Sequence, residues 1–147
     1  MQFPDQNEAE AAIRALEDGL RLTLHRFPFL AGTLRLADAE TGKLALDYPV
    51  DITDDDMRKL FRTKQVPLNE YDFPHTYEQL QRAGMPSKTF QAAMFVPEDF
   101  CNFPGIPRLG DGQVDFKKSD APAMRVQACF IPGGLVLSML VLRSLEV

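Results

Sequence analysis

Few side chains in this sequence could act as a base or a nucleophile. They are two histidines, His25 and His75, and two cysteines, Cys101 and Cys129. A thiol nucleophile needs a histidine beside it in space, and the positions along the chain do not show such a pair. Cys129 lies in an apolar run and is interpreted as a small core residue. The histidines fall at the end and near the start of predicted helices, where an imidazole can interact with the dipole or cap the helix.

The residues that could hold a metal ion do not have the spacing that a metal site requires. Asp54, Asp55 and Asp56 are consecutive, whereas a calcium loop alternates its ligands and closes with a bidentate glutamate. Neither cysteine belongs to a CxxC pair, so a zinc site or a disulfide scaffold has no support. The GxSxG, HExxH, P-loop and GxGxxG patterns are absent from the sequence. From these residues we assign no catalytic residue, no metal site and no bound cofactor.

Composition limits the classes of protein. The 147 residues are 45% hydrophobic, which is enough for one core, so we expect one domain or part of a larger one. The net charge of -5 and the scattered basic residues argue against nucleic acid as a partner. The start of the sequence has no basic segment followed by an apolar one, so it does not resemble a secretory signal. We expect a reducing, cytoplasmic setting.

The uncharged run Ala128–Leu142 raises the question of a membrane anchor. It is shorter than the ~20 apolar residues that span a bilayer. Pro132, Gly133 and Gly134 also interrupt it. A buried hairpin explains the run better than an anchor does, and we expect no membrane partner.

Periodicity predicts the elements of the first half of the chain. A helix is expected over Asn7–Arg26 because apolar residues recur three and four positions apart, at Ile13, Leu16, Leu20, Leu24 and Phe27. Alternation over Thr33–Leu36 and Lys43–Tyr48, around the turn residues Asp38–Gly42, predicts a hairpin near this helix. Thr53 followed by Asp56 is typical of a capped short helix, although a solvated acidic loop also fits these residues.

The second half alternates regular and irregular segments. A second helix is predicted over Phe73–Ala83, with Gly84 as its stop. The proline-rich stretch Met85–Pro122 is predicted to be an irregular excursion with one short strand. Met124–Ile131 and Leu135–Leu142 are predicted strands joined by the Pro-Gly-Gly turn. The last one is so apolar that we expect a central strand covered on both faces.

Three segments resemble a known family. They are "LEDGLRLTLHRFPFLAGTL" (16–34) with the hairpin ending "KLAL" (43–46), "DFPHTYEQLQRAGMP" (72–86) and "APAMRVQACFIPGGLVLS" (121–138). In this order and at these separations they resemble the N-terminal region of the BAHD-like acyltransferases, especially the fungal trichothecene 3-O-acetyltransferase-like branch. The resemblance extends over most of the chain.

The resemblance implies a fold and an activity. The fold is α+β, a chloramphenicol-acetyltransferase-like two-layer sandwich with a mixed sheet and packed helices, of which residues 1–147 would be a single, partial first domain. The activity is transfer of an acyl group from acyl-CoA, such as acetyl-CoA, to a hydroxyl of a secondary metabolite. The second domain, with its DFGWG-type motif, and the segment that usually precedes Asp5-Gln6 are expected to be missing.

The resemblance also locates the family's HxxxD motif, whose histidine acts as the general base. Counted from Gly133-Gly134, the histidine position is Arg143 and the aspartate position is Val147. A guanidinium stays protonated and cannot accept a proton, and valine has no carboxylate. We therefore expect acyl transfer to be absent or negligible in this chain.

Two other hypotheses follow from the departure from the family pattern. The chain could be a non-catalytic remnant that binds a ligand or a partner through an exposed apolar face. The departure within a few residues of Ser138 could also reflect a reading-frame change or a retained intron near codon 139. In that case the transcript would contain a frame that continues to a His-x-x-x-Asp motif.

Overall fold

The computed structural model describes residues 6–69, 73–98 and 114–142 of the chain. One long helix, several short helices and short strands make up this part of the chain. The α-helices are α1 Gln6–Arg26, α2 Asp54–Leu60, α3 Tyr77–Arg82 and α4 Ala92–Phe95. The strands are β1 Thr33–Asp38, β2 Lys43–Asp47, β3 Phe61–Gln65, β4 Ala121–Pro122, β5 Met124–Ile131 and β6 Gly134–Val141. Two short 3-10 helices, Pro28–Ala31 and Ser87–Thr89, complete the order.

Helix α1 confirms the strongest prediction from the sequence. One face of the helix is apolar, and its Leu24 is completely buried. Pro28 follows the helix and begins a 3-10 turn, because proline fixes its own backbone angle and lacks an N–H to continue the helix. The turn leads directly into β1.

The six strands in the described part of the chain form two three-stranded sheets. One has the order β2-β1-β4 and the other β3-β5-β6. The predicted β1–β2 hairpin is confirmed, with Leu34 opposite Leu46. In the second sheet β5 runs parallel to β3 and antiparallel to β6, so the sheet is mixed as expected.

Strand β5 is the centre of the fold because both of its faces are buried. Met124, Val126, Ala128 and Phe130 contribute to one core cluster, against which α1 and α2 pack. Cys129 and Ile131 point to the opposite face and join a second cluster with residues of α3, α4 and the segments before them. The two clusters lie on opposite faces of β5 because successive side chains of a strand point to opposite faces of the sheet.

The expectation that the last strand is central is wrong for the residues that the structure describes. Among the described strands, β6 lies at the end of its sheet and pairs with β5 alone. Leu137, Met139 and Val141 are 44%, 60% and 50% exposed. Apolar side chains on both faces show that a strand can be buried on both faces. Burial also requires packed elements on each side, and in this sheet β5 holds the central position.

Two further predictions need correction. The second helix begins at Tyr77 instead of Phe73, because Thr76 caps it and Phe73 packs in the second core cluster. Its stop is as predicted: Gly84 has φ +77°, and Met85 N donates to Leu80 O at 2.9 Å, which closes a Schellman turn. Strand β3 was not predicted at all.

The excursion between Met85 and Pro122 is irregular where it is described. It holds the second 3-10 helix, α4 and, at its end, the two-residue strand β4. Residues 99–113 lie outside the described part of the chain. Among the described residues, no helix is long and apolar enough to cross a membrane.

Candidate functional site

The β5–β6 hairpin is the element that would lead to the catalytic base in the family. It is regular over its whole length, from Ile131 opposite Gly134 to Met124 opposite Val141. Beyond β6, Leu142 N donates to Ala123 O at 2.9 Å. Arg143 and Val147, the positions of the motif's histidine and aspartate, lie outside the described residues. Their assignment stays a prediction from the sequence.

The Gly-Gly turn of this hairpin is shaped by helix α3. Gly133 has φ +84°, a conformation that favours glycine. A Cβ atom on Gly134 would overlap ring atoms Cδ2 and Cγ of Tyr77, so a side chain has no room there. Tyr77 N also donates to Pro132 O at 2.9 Å. The turn therefore docks the start of α3 against the hairpin.

Cys129 lies in a polar niche within the second core cluster. Its Sγ accepts from Nε2 of Gln127 at 3.3 Å and lies 3.7 Å from Phe95 O. Burial raises the pKa of the Cys129 thiol, although the hydrogen bond from Gln127 and the charge of Lys64 act in the opposite direction. A buried thiol that keeps its proton is a poor nucleophile.

The two histidines lie on other segments of the chain than this thiol. His25 lies in the last turn of α1, as predicted, and it is exposed there. His75 precedes the cap residue Thr76 and stacks edge-on against Phe73, with ring centroids 5.2 Å apart. Within the described residues no hydrogen bond joins Cys129 to His75. Cys101 lies outside the described part of the chain.

The three aspartates Asp54–Asp56 form the first turn of helix α2, and each of them makes an ion pair or a capping hydrogen bond. Asp54 forms an ion pair with Arg21 at 2.7 Å, and Asp55 forms one with Lys59 at 2.9 Å. Asp56 accepts from the backbone N of Thr53 while the Thr53 hydroxyl accepts from Asp56 N, which is a capping box. The short capped helix is thus confirmed. Among the described residues no group of three His, Cys, Asp or Glu side chains could hold a metal ion.

A cavity of about 340 Å³ lies between the β1–β2 hairpin, α2 and the start of β5. Its charged lining residues are Asp47, Asp56, Lys59 and Arg125. Each of the two carboxylates already has a partner, since Asp47 pairs with Arg35 and Asp56 caps α2. The lining holds no histidine or cysteine. This cavity can accommodate a small polar molecule, but its residues do not include a neutral base.

Two polar residues of the sheet have roles that the sequence reading missed. Gln127 Nε2 donates to Phe95 O at 2.9 Å, and Lys64 Nζ donates to Met94 O at 2.9 Å. Both acceptors are carbonyls at the end of α4, where a helix leaves such groups without internal partners. The sequence did contain one indication of the Gln127 contact. Gln127 lies in a largely apolar strand, and a buried amide needs a hydrogen-bond partner.

Comparison with protein families gives one match that extends over almost the whole chain. The family of the trichothecene 3-O-acetyltransferase-like N-terminal domain matches residues 1–143. No curated protein sequence matches the chain. The matched range includes all three segments on which the resemblance rests.

Solved structures agree in fold. TRI101 of F. graminearum, complexed with coenzyme A and T-2 mycotoxin, has a TM-score of 0.63 at 21% identity. TRI101 of F. sporotrichioides, complexed with coenzyme A and T-2, has a TM-score of 0.61 at 22% identity. In both comparisons 93% of this chain is covered, and the chain spans 28% of the relative's length. The predicted α+β fold class is confirmed, and the chain belongs to the trichothecene 3-O-acetyltransferase-like N-terminal domain family.

Proposed function

We propose that this chain is the N-terminal portion of a CoA-dependent O-acyltransferase, with residues 1–147 as a single partial domain. The whole enzyme would transfer an acyl group from acyl-CoA to a hydroxyl of a secondary metabolite in the cytoplasm. The family match over residues 1–143 supports this assignment. The relatives' structures with coenzyme A and with T-2 or deoxynivalenol support the classes of cosubstrate and acceptor.

We further propose that the chain by itself does not catalyse transfer. The observation that carries this proposal is the regular β5–β6 hairpin, which ends at Val141 and is followed by a bond from Leu142 N to Ala123 O, one residue before Arg143. At that position a transferase needs a group that accepts the acceptor hydroxyl's proton as the oxygen attacks the thioester carbonyl. The guanidinium of Arg143 is protonated at any working pH, and Val147 cannot orient a base.

A chimera tests both parts of the proposal. Residues 1–147 would replace the matching N-terminal part of F. graminearum TRI101, and the same chimera would be made with Arg143→His and Val147→Asp. We expect transfer from acetyl-CoA only with the double substitution, because only that version has a base and a carboxylate at the two positions. The two versions differ at two residues, so each is the folding control for the other.

Two outcomes would contradict the proposal. Equal transfer by both chimeras would show that Arg143 and Val147 do not occupy the catalytic positions. If both chimeras were folded, as judged by circular dichroism and a cooperative melt, and bound coenzyme A without transfer, the positional assignment would also fail.

A second candidate function is that of a non-catalytic fragment that binds a partner. The observation that favours it is the row of exposed apolar side chains on β6, formed by Leu137, Met139 and Val141. Such rows on a soluble surface are typical of contact sites. This role predicts association of the purified chain with itself or with a full-length relative, measurable by light scattering. A monomer that binds neither a relative nor acyl-CoA would exclude it.

A further inference from the structure

We propose that the segment between helix α1 and strand β1, residues 27–32, positions the residue that follows the β5–β6 hairpin. This α1–β1 link holds Leu142 through Ala123, and Leu142 is the neighbour of position 143. The inference deepens the proposed transferase function and rests on it. In that reaction a base at position 143 must meet the acceptor hydroxyl, so a small displacement of Leu142 would slow transfer. Gly32, the last residue of the link, is the positioning residue.

Two backbone hydrogen bonds connect Gly32 to Leu142. Ala123 N donates to Gly32 O, and Leu142 N donates to Ala123 O, both at 2.9 Å. Gly32 directly precedes β1 and Leu142 directly follows β6, while Ala123 lies between β4 and β5. Strand β1 belongs to one sheet and β6 belongs to the other. Ala123 therefore joins the start of β1 in one sheet to the end of the hairpin in the other.

The N–H and the C=O of Ala123 bond to different segments. In a hydrogen-bonded antiparallel pair, both groups of one residue bond to the residue opposite. At Ala123 the C=O accepts from Leu142, but the N–H donates to the α1–β1 link. The regular pairing of β5 with β6 ends one residue earlier, at Met124 and Val141. The position of Leu142 thus depends on Ala123, and the position of Ala123 depends on Gly32.

The α1–β1 link is itself fixed in two ways. Gly32 N donates to Phe29 O at 3.1 Å, which closes the 3-10 turn of the link. Leu30 and Ala31 pack against the first core cluster, to which β5 contributes. The carbonyl that Ala123 uses is therefore presented by a segment that is anchored to the core.

Gly32 is packed too closely for a side chain. It is buried, and a Cβ atom on it would lie 2.8 Å from Asp47 O and 2.9 Å from Phe29 O. Both oxygens belong to the backbone, one at the end of β2 and the other in the link. Leu46 Cδ1 would also lie 2.8 Å away. A side chain at this position would displace the link, and the carbonyl that accepts from Ala123 would move with it.

Amide exchange in the full chain, measured by NMR, tests the link directly. Gly32→Ala should raise the exchange rate of the Leu142 amide at least about fivefold relative to that of Val66. Val66 N donates to Phe130 O at 2.8 Å, near the other end of β5 from Ala123. A loss of global stability raises both rates together, whereas loss of positioning raises that of Leu142 selectively.

Two further changes separate position from stability. An amide-to-ester change at Ala123 removes the N–H that donates to Gly32 O and keeps every side chain. It should raise the exchange rate of Leu142 about three- to tenfold relative to Val66. Thr76→Ala removes the cap of α3 and touches neither the α1–β1 link nor Ala123. It should not raise the rate of Leu142 relative to that of Val66.

The chimera with Arg143→His and Val147→Asp tests the consequence for the reaction. Adding Gly32→Ala should lower kcat at least about tenfold and change the KM for acetyl-CoA little, because a displaced base affects the chemical step. Gly19→Ala is the matched control, since no atom lies within 4 Å of its Cβ position. It should leave kcat unchanged.

Two results would overturn the inference. Equal increases in the exchange rates of Leu142 and Val66, in both Gly32→Ala and the Ala123 ester, would show that the link does not hold Leu142. A selective increase at Leu142 without a fall in kcat would show that position 143 does not depend on the link. Failure of the proposed function gives a different result: the parent chimera transfers no acyl group, and amide exchange still decides whether the link holds Leu142.

Discussion

At the scale of single residues, the fold depends on a close approach between a glycine and an aromatic ring. Gly134 begins β6, and the Tyr77 ring occupies the space that a Cβ atom would need. The contact couples α3 to the hairpin that precedes Arg143. The contact between Gly134 and Tyr77 can therefore be tested by adding a side chain at Gly134, and then by removing the Tyr77 ring that this side chain would meet.

Gly134→Ala should lower the free energy of unfolding by about 1–3 kcal/mol, the usual cost of overpacking a tight contact. Gly19→Ala is the matched control, because no atom lies within 4 Å of its Cβ position and alanine favours a helix. It should raise stability by up to about 1 kcal/mol. Urea unfolding followed by circular dichroism measures both.

A double-mutant cycle shows whether the Tyr77 ring is the cause. In a Tyr77→Ala background, Gly134→Ala should cost much less, since the ring atoms that it meets are gone. If the cost of Gly134→Ala were the same in both backgrounds, the close approach would not explain it.

At the scale of elements, the start and the stability of the short helices depend on their N-cap residues. Helix α3 has only six residues, and Thr76 accepts from Gln79 N while the Gln79 side chain accepts from Thr76 N. Thr76 is buried, so water cannot readily replace these bonds. The first turn of α3 also holds Tyr77 against the hairpin turn, and loss of the cap would loosen that contact.

Thr76→Ala should therefore destabilise the chain by about 1 kcal/mol or more, and Thr76→Ser should restore most of the loss because it keeps the hydroxyl. Ser87→Ala is the control, since Ser87 is exposed and makes no capping bond. Chemical unfolding midpoints provide the measurement. Equal effects of Thr76→Ala and Ser87→Ala would contradict the role of the cap.

Local patterns predicted α1, the β1–β2 hairpin and the β5–β6 hairpin because periodicity and turn residues are encoded within each segment. Strand β3 was missed because "FRTKQ" is short and polar, and its partner β5 lies about sixty residues further along the chain. The exposure of Met139 was missed for a related reason. An apolar run indicates what a strand can bury, but its position in the sheet depends on distant pairing.

The candidate site was less predictable than the fold. The interpretation of Cys129 as a core residue holds, yet its bond from Gln127 and the bond from Gln127 to Phe95 O depend on the placement of α4. Arg143 and Val147 lie outside the described residues, so their assignment rests on the family pattern.

At the scale of the whole molecule, the chain combines the fold of its family with a hairpin whose second strand, β6, lies at the end of its sheet among the described residues. Strand β5 is covered on both faces, whereas Leu137, Met139 and Val141 of β6 are exposed. The fold therefore supports a stable core around β5, whereas our proposal about transfer chemistry concerns Arg143 and Val147, which the structure does not describe.

The most direct test of the central claim is a transfer assay on the purified 147-residue chain with labelled acetyl-CoA and a trichothecene alcohol, alongside F. graminearum TRI101. We predict no transfer above the protein-free rate, because the chain has no neutral base at position 143. Transfer that increased with the amount of this chain and was abolished by His25→Ala or His75→Ala, with folding unchanged, would contradict the account.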